Sequence, residues 1–385
     1  MNAHWGKHEH TVLVLQGGGA LGAYQAGVFE GLAECGAAPD WVAGVSIGAV
    51  NAALIAGNPP ERRVERLREF WQRVSAQMPF IPHASMDSLR PMFDKLSTAS
   101  AFVFGVPGFF SPRMVPPFLA LDGSIGALSF YDTTPLKATL EELVDFELIN
   151  RNGGVRLSLG AVDLRTGNSV YFDSKTTKIR AEHVLASGAL PPGFPPVQID
   201  GELYWDGGLV SNSPLWYVLD SDAKLNALIF QVDVFSGAGE LPKNLAEVQE
   251  RAKDIQYASK TRFNTTRVKE MEALRGSLRR VLEKLPEELR DDPDVRQLAA
   301  ASNPKAISLV HFINRHHPRA TSYKDAEFSR ATVTDLWQGG LADVRSARAD
   351  PKWHRATDYA EGMRVYDMAP KADPANERTS SATAR

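Results

Sequence analysis

The chain has 385 residues, of which 43% are hydrophobic and 23% charged, with a formal net charge of -3. That balance describes an ordinary globular protein long enough to bury a sizeable core, and it excludes a nucleic-acid partner drawn by global charge. A single cysteine, Cys35, excludes an internal disulfide framework and a thiolate metal cage, and fits a reducing compartment.

The polar lead, residues 1–10, gives way to Thr11–Leu15, a short β-branched apolar run ended by glycines. This is too short for a signal-peptide core and reads as a strand buried on both faces. The pattern then turns helical over Ala20–Cys35, returns to a strand at Trp41–Val45, and becomes helical again at Ala49–Ala56. Strand, helix, strand, helix at this spacing predicts a parallel sheet in an α/β fold. Glu61–Val74 reads as a charged surface helix, and Phe80–Phe130 as a Pro-, Gly- and Phe-rich stretch with no clear period. Strands are predicted at 155–162, 169–172, 203–205 and 227–234, with a helix at 181–187. From residue 236 the composition shifts to a long, helical, Lys/Arg/Glu-rich segment over 244–285. One further strand is expected at 307–313 and a helix at 325–347, and the polar tail from Pro370 reads as disordered. No apolar run approaches the roughly 20 residues that span a bilayer. The expectation is a cytoplasmic protein that meets any lipid from the surface.

Gly44-Val45-Ser46-Ile47-Gly48 is a G-x-S-x-G between a predicted strand and helix, where a sharp turn presents the serine hydroxyl at the positive end of the helix. Gly17, Gly18 and Gly19 open a glycine-rich loop after the first strand, whose successive N–H groups suit an oxyanion. Gly17, Gly19 and Gly22 also fit a dinucleotide fingerprint, but that fold wants an acidic residue at the end of the second strand. Asp40 precedes that strand, and Ser46 occupies its end. Asp206, at a strand end before Gly207 and Gly208, is one candidate base and Asp163 another, although Asp163 before Thr166-Gly167 also reads as an Asx turn. A late histidine among His183, His311, His316, His317 and His354 could complete a triad.

Four blocks, at 17–32, 44–57, 186–197 and 206–215, resemble the patatin-like phospholipases in the family's order. The resemblance implies a three-layer α/β/α domain over 11–235 with a mainly parallel sheet, and a Ser-Asp dyad that needs no metal and no cofactor. It puts the nucleophile on Ser46, the base on Asp206 and the oxyanion glycines on Gly17, Gly18 and Gly19. Residues 236–369 resemble a mostly helical C-terminal extension found in a bacterial subset, whose role the resemblance does not give. The implied partner is an acyl-ester lipid. The alternatives are a nucleotide-dependent oxidoreductase and a non-catalytic membrane adaptor on the same fold.

Two stretches bear on how lipid is met. Phe102, Phe104, Phe109, Phe110, Met114, Phe118 and Phe130, with Arg113 and Asp122 as the main charges among them, read as either an irregular segment on the core or an apolar lid and acyl groove. Between Lys243 and Lys284, eleven basic residues stand against six acidic ones. That balance raises the expectation of peripheral contact with an anionic membrane.

Overall fold

The computed structural model describes residues 8–75, 90–221, 225–302, 305–315, 324–349 and 362–368. Most of the N-terminal lead, the start of the Phe-rich stretch, His316, His317, His354 and the polar tail therefore lie outside the described residues. The chain opens with β1 (His10–Leu15), α1 (Gly22–Glu34), β2 (Trp41–Val45), α2 (Ile47–Ala56) and α3 (Arg63–Val74), close to the expected order. It continues through α4 (Arg90–Phe104) and a small antiparallel ribbon of β3 (Ser111–Pro112) and β4 (Tyr131–Asp132) to α5 (Thr134–Leu143) and α6 (Phe146–Ile149). Next come β5 (Arg156–Asp163), β6 (Ser169–Asp173), α7 (Ala181–Ser187), β7 (Val197–Ile199), β8 (Glu202–Asp206), α8 (Leu215–Asp220) and β9 (Asn226–Asp233). The remainder is α9 (Leu245–Leu282), α10 (Pro293–Ala301), β10 (Ala306–Ile313), α11 (Arg330–Arg348) and β11 (Met363–Asp367).

These strands form a nine-stranded sheet in the order β11-β10-β9-β1-β2-β5-β8-β7, with β6 also paired to β5. Pairing is parallel from β11 across to β5 and antiparallel among β5, β6, β7 and β8. Side chains alternate faces along a strand, so β1 serves two cores at once. Leu13 and Leu15 pack into the cluster that contains α1, α2 and α11. Val12 and Val14 pack with Leu215, Val218 and Leu219 of α8 and Val268 of α9. A strand covered on both faces has no polar side to show, which is why the run at residues 11–15 reads as continuously apolar. The protein is thus a three-layer α/β/α structure with a mainly parallel sheet, as the sequence predicts.

One expectation is revised and another is extended. The stretch with no clear period contains α4, whose Ser97, Thr98, Ser100 and Ala residues dilute the apolar stripe that would announce a helix. The extension is more than helices laid on a finished domain, because β10 pairs with β9 and β11 with β10, continuing the sheet itself. Helix α11 of the extension also docks closely. A Cβ at Gly27 would strike the Trp337 carbonyl, and one at Gly340 would strike the Tyr24 carbonyl, so the backbones of α1 and α11 cross in contact through paired glycines.

Candidate active site

Ser46 sits between β2 and α2 with φ 57° and ψ -126°, a left-handed geometry that non-glycine residues adopt only when their surroundings hold them there. The surroundings are identifiable. Its N–H donates to both the carbonyl and the Oγ of Ser187 at 3.1 Å, and Ser187 Oγ in turn donates to the Gly160 carbonyl at 2.6 Å. Its carbonyl accepts from Ala49 N–H at 2.8 Å, opening α2. The flanking glycines are required by contact: a Cβ at Gly44 would strike the Gly48 carbonyl, and one at Gly48 the Leu15 carbonyl.

Asp206 ends β8 with its side chain only 2% exposed. Its N–H donates to the Ala189 carbonyl at 3.0 Å, and its Oδ1 accepts from Gly208 N–H at 2.7 Å. Ser46 lines the same cavity as this carboxyl. Burial raises the Asp206 pKa from 3.8 to about 6, against the opposing pull of the Ser46 hydroxyl and the Gly208 N–H. Gly207 lets the turn lie against β5, since a Cβ there would come within 2.6 Å of the Gly160 carbonyl. Gly208 has the same need beside Asn212 Oδ1, at 2.8 Å. Residues 187 and 189 therefore tie the serine turn and the aspartate strand to one segment, which explains why the block at 186–197 accompanies the other motifs.

The glycine loop faces the same space. Gly17 donates its N–H to the Asn212 carbonyl at 3.1 Å, and its own carbonyl accepts from Asn212 Nδ2 at 2.9 Å. Its N–H is thus already bonded within the protein, beside Ser46. The N–H groups of Gly18 and Gly19 have no acceptor among the described residues. Gly19 takes φ 55°, and a Cβ there would strike the Asp325 carbonyl.

The other candidates lie elsewhere. Asp163 is held in its own turn, accepting from Arg165 N–H at 2.9 Å and Thr166 N–H at 2.8 Å, and those bonds lower its pKa. His183 is buried against Phe172, and its Nδ1 accepts from Arg180 N–H at 3.0 Å. His311 is buried and paired with Asp233 at 2.6 Å. Neither histidine lines the cavity that contains Ser46 and Asp206. Asp40, the acid wanted by the dinucleotide reading, accepts from Thr11 N–H at the opposite end of β1 from the glycine loop. Among the described residues no group of acidic, histidine or cysteine side chains could hold a metal ion.

The cavity encloses about 350 Å³, with Ser46, Asp206 and the glycine loop among its lining. Its wall is aromatic: Phe109 and Phe110 meet Phe194 at 6.1 and 5.2 Å between ring centroids, and Phe110 meets Tyr131 at 4.8 Å. Phe102, Phe109 and Phe110 of the Phe-rich stretch belong to this lining, whereas Phe104, Met114, Phe118 and Phe130 are exposed. Sequence reasoning missed Ser187, Ala189 and Asn212, although all three stand inside or beside the quoted blocks. It also missed Lys253, Tyr257, Asp325 and Phe328, which the extension sends into the same cavity.

A family model described as patatin-like phospholipase matches residues 13–219, and a second, described as patatin phospholipase, matches residues 255–360. The chain is 27% identical over 228 residues to patatin-like phospholipase domain-containing protein 7 of Rattus norvegicus, and 28% identical to its Mus musculus counterpart. Each match covers 58% of this chain and 13% of the relative. Among solved structures it is similar to VipD from Legionella pneumophila, at 15% identity and TM-score 0.34, covering 97% of this chain and 74% of that one. It is also similar to the ExoU-SpcU complex of Pseudomonas aeruginosa, at 17% identity and TM-score 0.27, covering 89% and 76%.

The site predicts its own pH dependence. If Asp206 works as the base it must be ionised, so kcat/KM for a neutral ester should fall about tenfold per pH unit below about 6 and level off above it. A rising limb near the ordinary histidine range of about 6.5 that vanishes when a histidine is replaced would contradict the assignment. With more than half its length matched by the first family model, the chain belongs to the patatin-like phospholipase family.

Proposed function

We propose that the protein is a serine-dependent lipid acyl hydrolase that cleaves carboxylic esters through Ser46 and Asp206. The observation that carries this reading is the buried Asp206 carboxyl, which shares an apolar, aromatic-walled cavity with Ser46 on its strained turn. As Ser46 Oγ attacks the ester carbonyl carbon, its proton passes to Asp206 and the carbonyl oxygen becomes an oxyanion beside the Gly18 and Gly19 N–H groups. Collapse of this intermediate breaks the ester C–O bond, and the departing alkoxide takes the proton from Asp206 and leaves as an alcohol. Water then attacks the acyl-serine, giving its proton to Asp206, which returns it to Ser46 as the fatty acid leaves. A base with a pKa near 6 is stronger than an ordinary aspartate by about two units and remains ionised at neutral pH. The aromatic wall suits an acyl chain, because each buried methylene contributes about 0.8 kcal/mol.

Replacing Ser46 by Ala should abolish hydrolysis of p-nitrophenyl butyrate, and Asp206→Asn should lower kcat by several orders of magnitude with the fold retained. Replacing His183 or His311 should leave the pH profile in place. Activity of Ser46→Ala within tenfold of wild type, about 1.4 kcal/mol, would move the nucleophile elsewhere.

The substrate side of this proposal is a lipid surface met through apolar contact. In the same stretch of chain as the cavity-lining Phe102, Phe109 and Phe110, Phe104, Met114, Phe118, Leu119 and Leu121 are all at least 70% exposed, and Phe102 and Leu190 belong both to the cavity lining and to the exposed apolar set. So many large apolar side chains exposed within one segment suit an interaction site. The basic helix is a weaker candidate, because Lys253 is paired with Asp325, Arg275 with Glu272, and Arg251 donates to the Ser236 and Gly237 carbonyls. Among the described residues no helix is long and apolar enough to cross a membrane. Sedimentation with neutral phosphatidylcholine vesicles should persist at 1 M salt, where charge attraction is screened within about 3 Å, and should fall sharply on Met114→Glu with Phe118→Glu. Binding to anionic vesicles alone, lost at high salt, would instead assign the contact to α9.

A further inference from the structure

Three observations tie the extension to the glycine loop, two of them direct contacts and one a set of ion pairs within the extension. First, the Asp325 carbonyl lies where a Cβ of Gly19 would stand, so the backbone of residue 325 is packed directly on the loop. Second, residues 324 and 325 are both held to one face of α9. Lys324, buried, pairs with Glu250 at 3.1 Å and Asp254 at 2.7 Å, while Lys253 Nζ reaches both carboxylate oxygens of Asp325 at 2.6 Å. Glu250, Lys253 and Asp254 stand at the spacing of three and four that places side chains together on a helix. The alternating signs on each element fix which residue meets which, and a one-residue slip would oppose like charges. Third, Gln16, immediately before the loop, accepts from the Val234 and Phe235 N–H groups and donates its Nε2 to the Tyr257 carbonyl of α9 at 3.3 Å. Phe235 and Tyr257 stack at 4.9 Å beside it.

We infer that the C-terminal extension holds the oxyanion loop in its working shape, with the Lys253–Asp325 ion pair fixing the backbone of residue 325 against Gly19. The inference rests on the hydrolase reading for its catalytic consequence, and makes Lys253 and Asp325 positioning residues. Neither has to touch the reacting carbonyl. The Gly18 and Gly19 N–H groups must meet an oxygen that becomes charged only in the transition state, so their placement governs kcat more than ground-state affinity. A misplacement of about 1 Å is enough to lower a rate on the order of a hundredfold. The pair itself is partly exposed, with the Lys253 side chain at 29% and that of Asp325 at 21%. Breaking it should therefore change global stability little. That contrast separates a positioning device from ordinary scaffold.

The test uses the full chain with Lys253→Met, Asp325→Asn and Lys253→Arg. Both charge-removing variants should lose on the order of 10- to 100-fold in kcat on p-nitrophenyl butyrate, with KM within about twofold and the melting temperature within about 2 °C of wild type. Lys253→Arg, which keeps the charge, should recover most of kcat. Hydrogen exchange followed by mass spectrometry should show faster exchange in the peptide covering residues 16–24 in the two charge-removing variants. Unchanged kcat and unchanged exchange in that peptide would overturn the inference, as would a loss confined to KM or one matched by global unfolding. The Ser46→Ala control keeps the two claims apart. If that variant still hydrolyses the ester, the assignment of Ser46 as nucleophile fails, and exchange at residues 16–24 alone decides whether the extension holds the loop.

Discussion

A carboxylate removed from water beside a serine hydroxyl is the constraint around which the rest of this structure is arranged. An unpaired buried charge is strongly unfavourable, and the Gly208 N–H that Asp206 accepts offsets part of that cost, with the Ser46 hydroxyl acting in the same direction. The same burial makes it a better base, with its pKa near 6 rather than 3.8. To bring the two side chains together, the β2–α2 turn must adopt a geometry that serine avoids, and the β8 turn must press against β5. Gly44, Gly48, Gly207 and Gly208 are therefore positions of backbone contact as much as of flexibility.

Residues 186–197 and Asn212 extend this logic beyond Ser46 and Asp206. Ser187 anchors the N–H of Ser46, Ala189 anchors the N–H of Asp206, and Asn212 engages Gly17 from both sides. Each holds backbone rather than meeting substrate. The sheet supplies the frame: β1, β2 and β5 run parallel, so the glycine loop after β1 and Ser46 after β2 emerge at the same end of the sheet. Antiparallel β8 ends at Asp206 beside Ala161 of β5, directing its carboxylate into the same space.

Much of this was legible in the sequence because local patterning and global fold agree there. The run at residues 11–15, the glycines after it and the G-x-S-x-G each carry a signal within a few residues, and the structure bears out the α/β fold they predict. What escaped is non-local. That Gly17 gives its N–H to Asn212 depends on a residue 195 positions away, and no pattern around Gly17 distinguishes it from Gly18. The helix at Arg90–Phe104 was hidden by small polar residues. The extension reads as a charged helical segment because its ion pairs are visible only in three dimensions, where Lys253 meets Asp325 and Lys324 meets Glu250 and Asp254. An apparent surplus of basic charge on α9 is in part the internal wiring of the cavity mouth.

The most direct test of this account is the mass of the protein after brief exposure to a fluorophosphonate ester, followed by peptide mapping. The account predicts a single stoichiometric adduct on Ser46, formed far more slowly in Asp206→Asn and absent from Ser46→Ala. An adduct on any other residue, or labelling of Ser46 at the wild-type rate in Asp206→Asn, would contradict it.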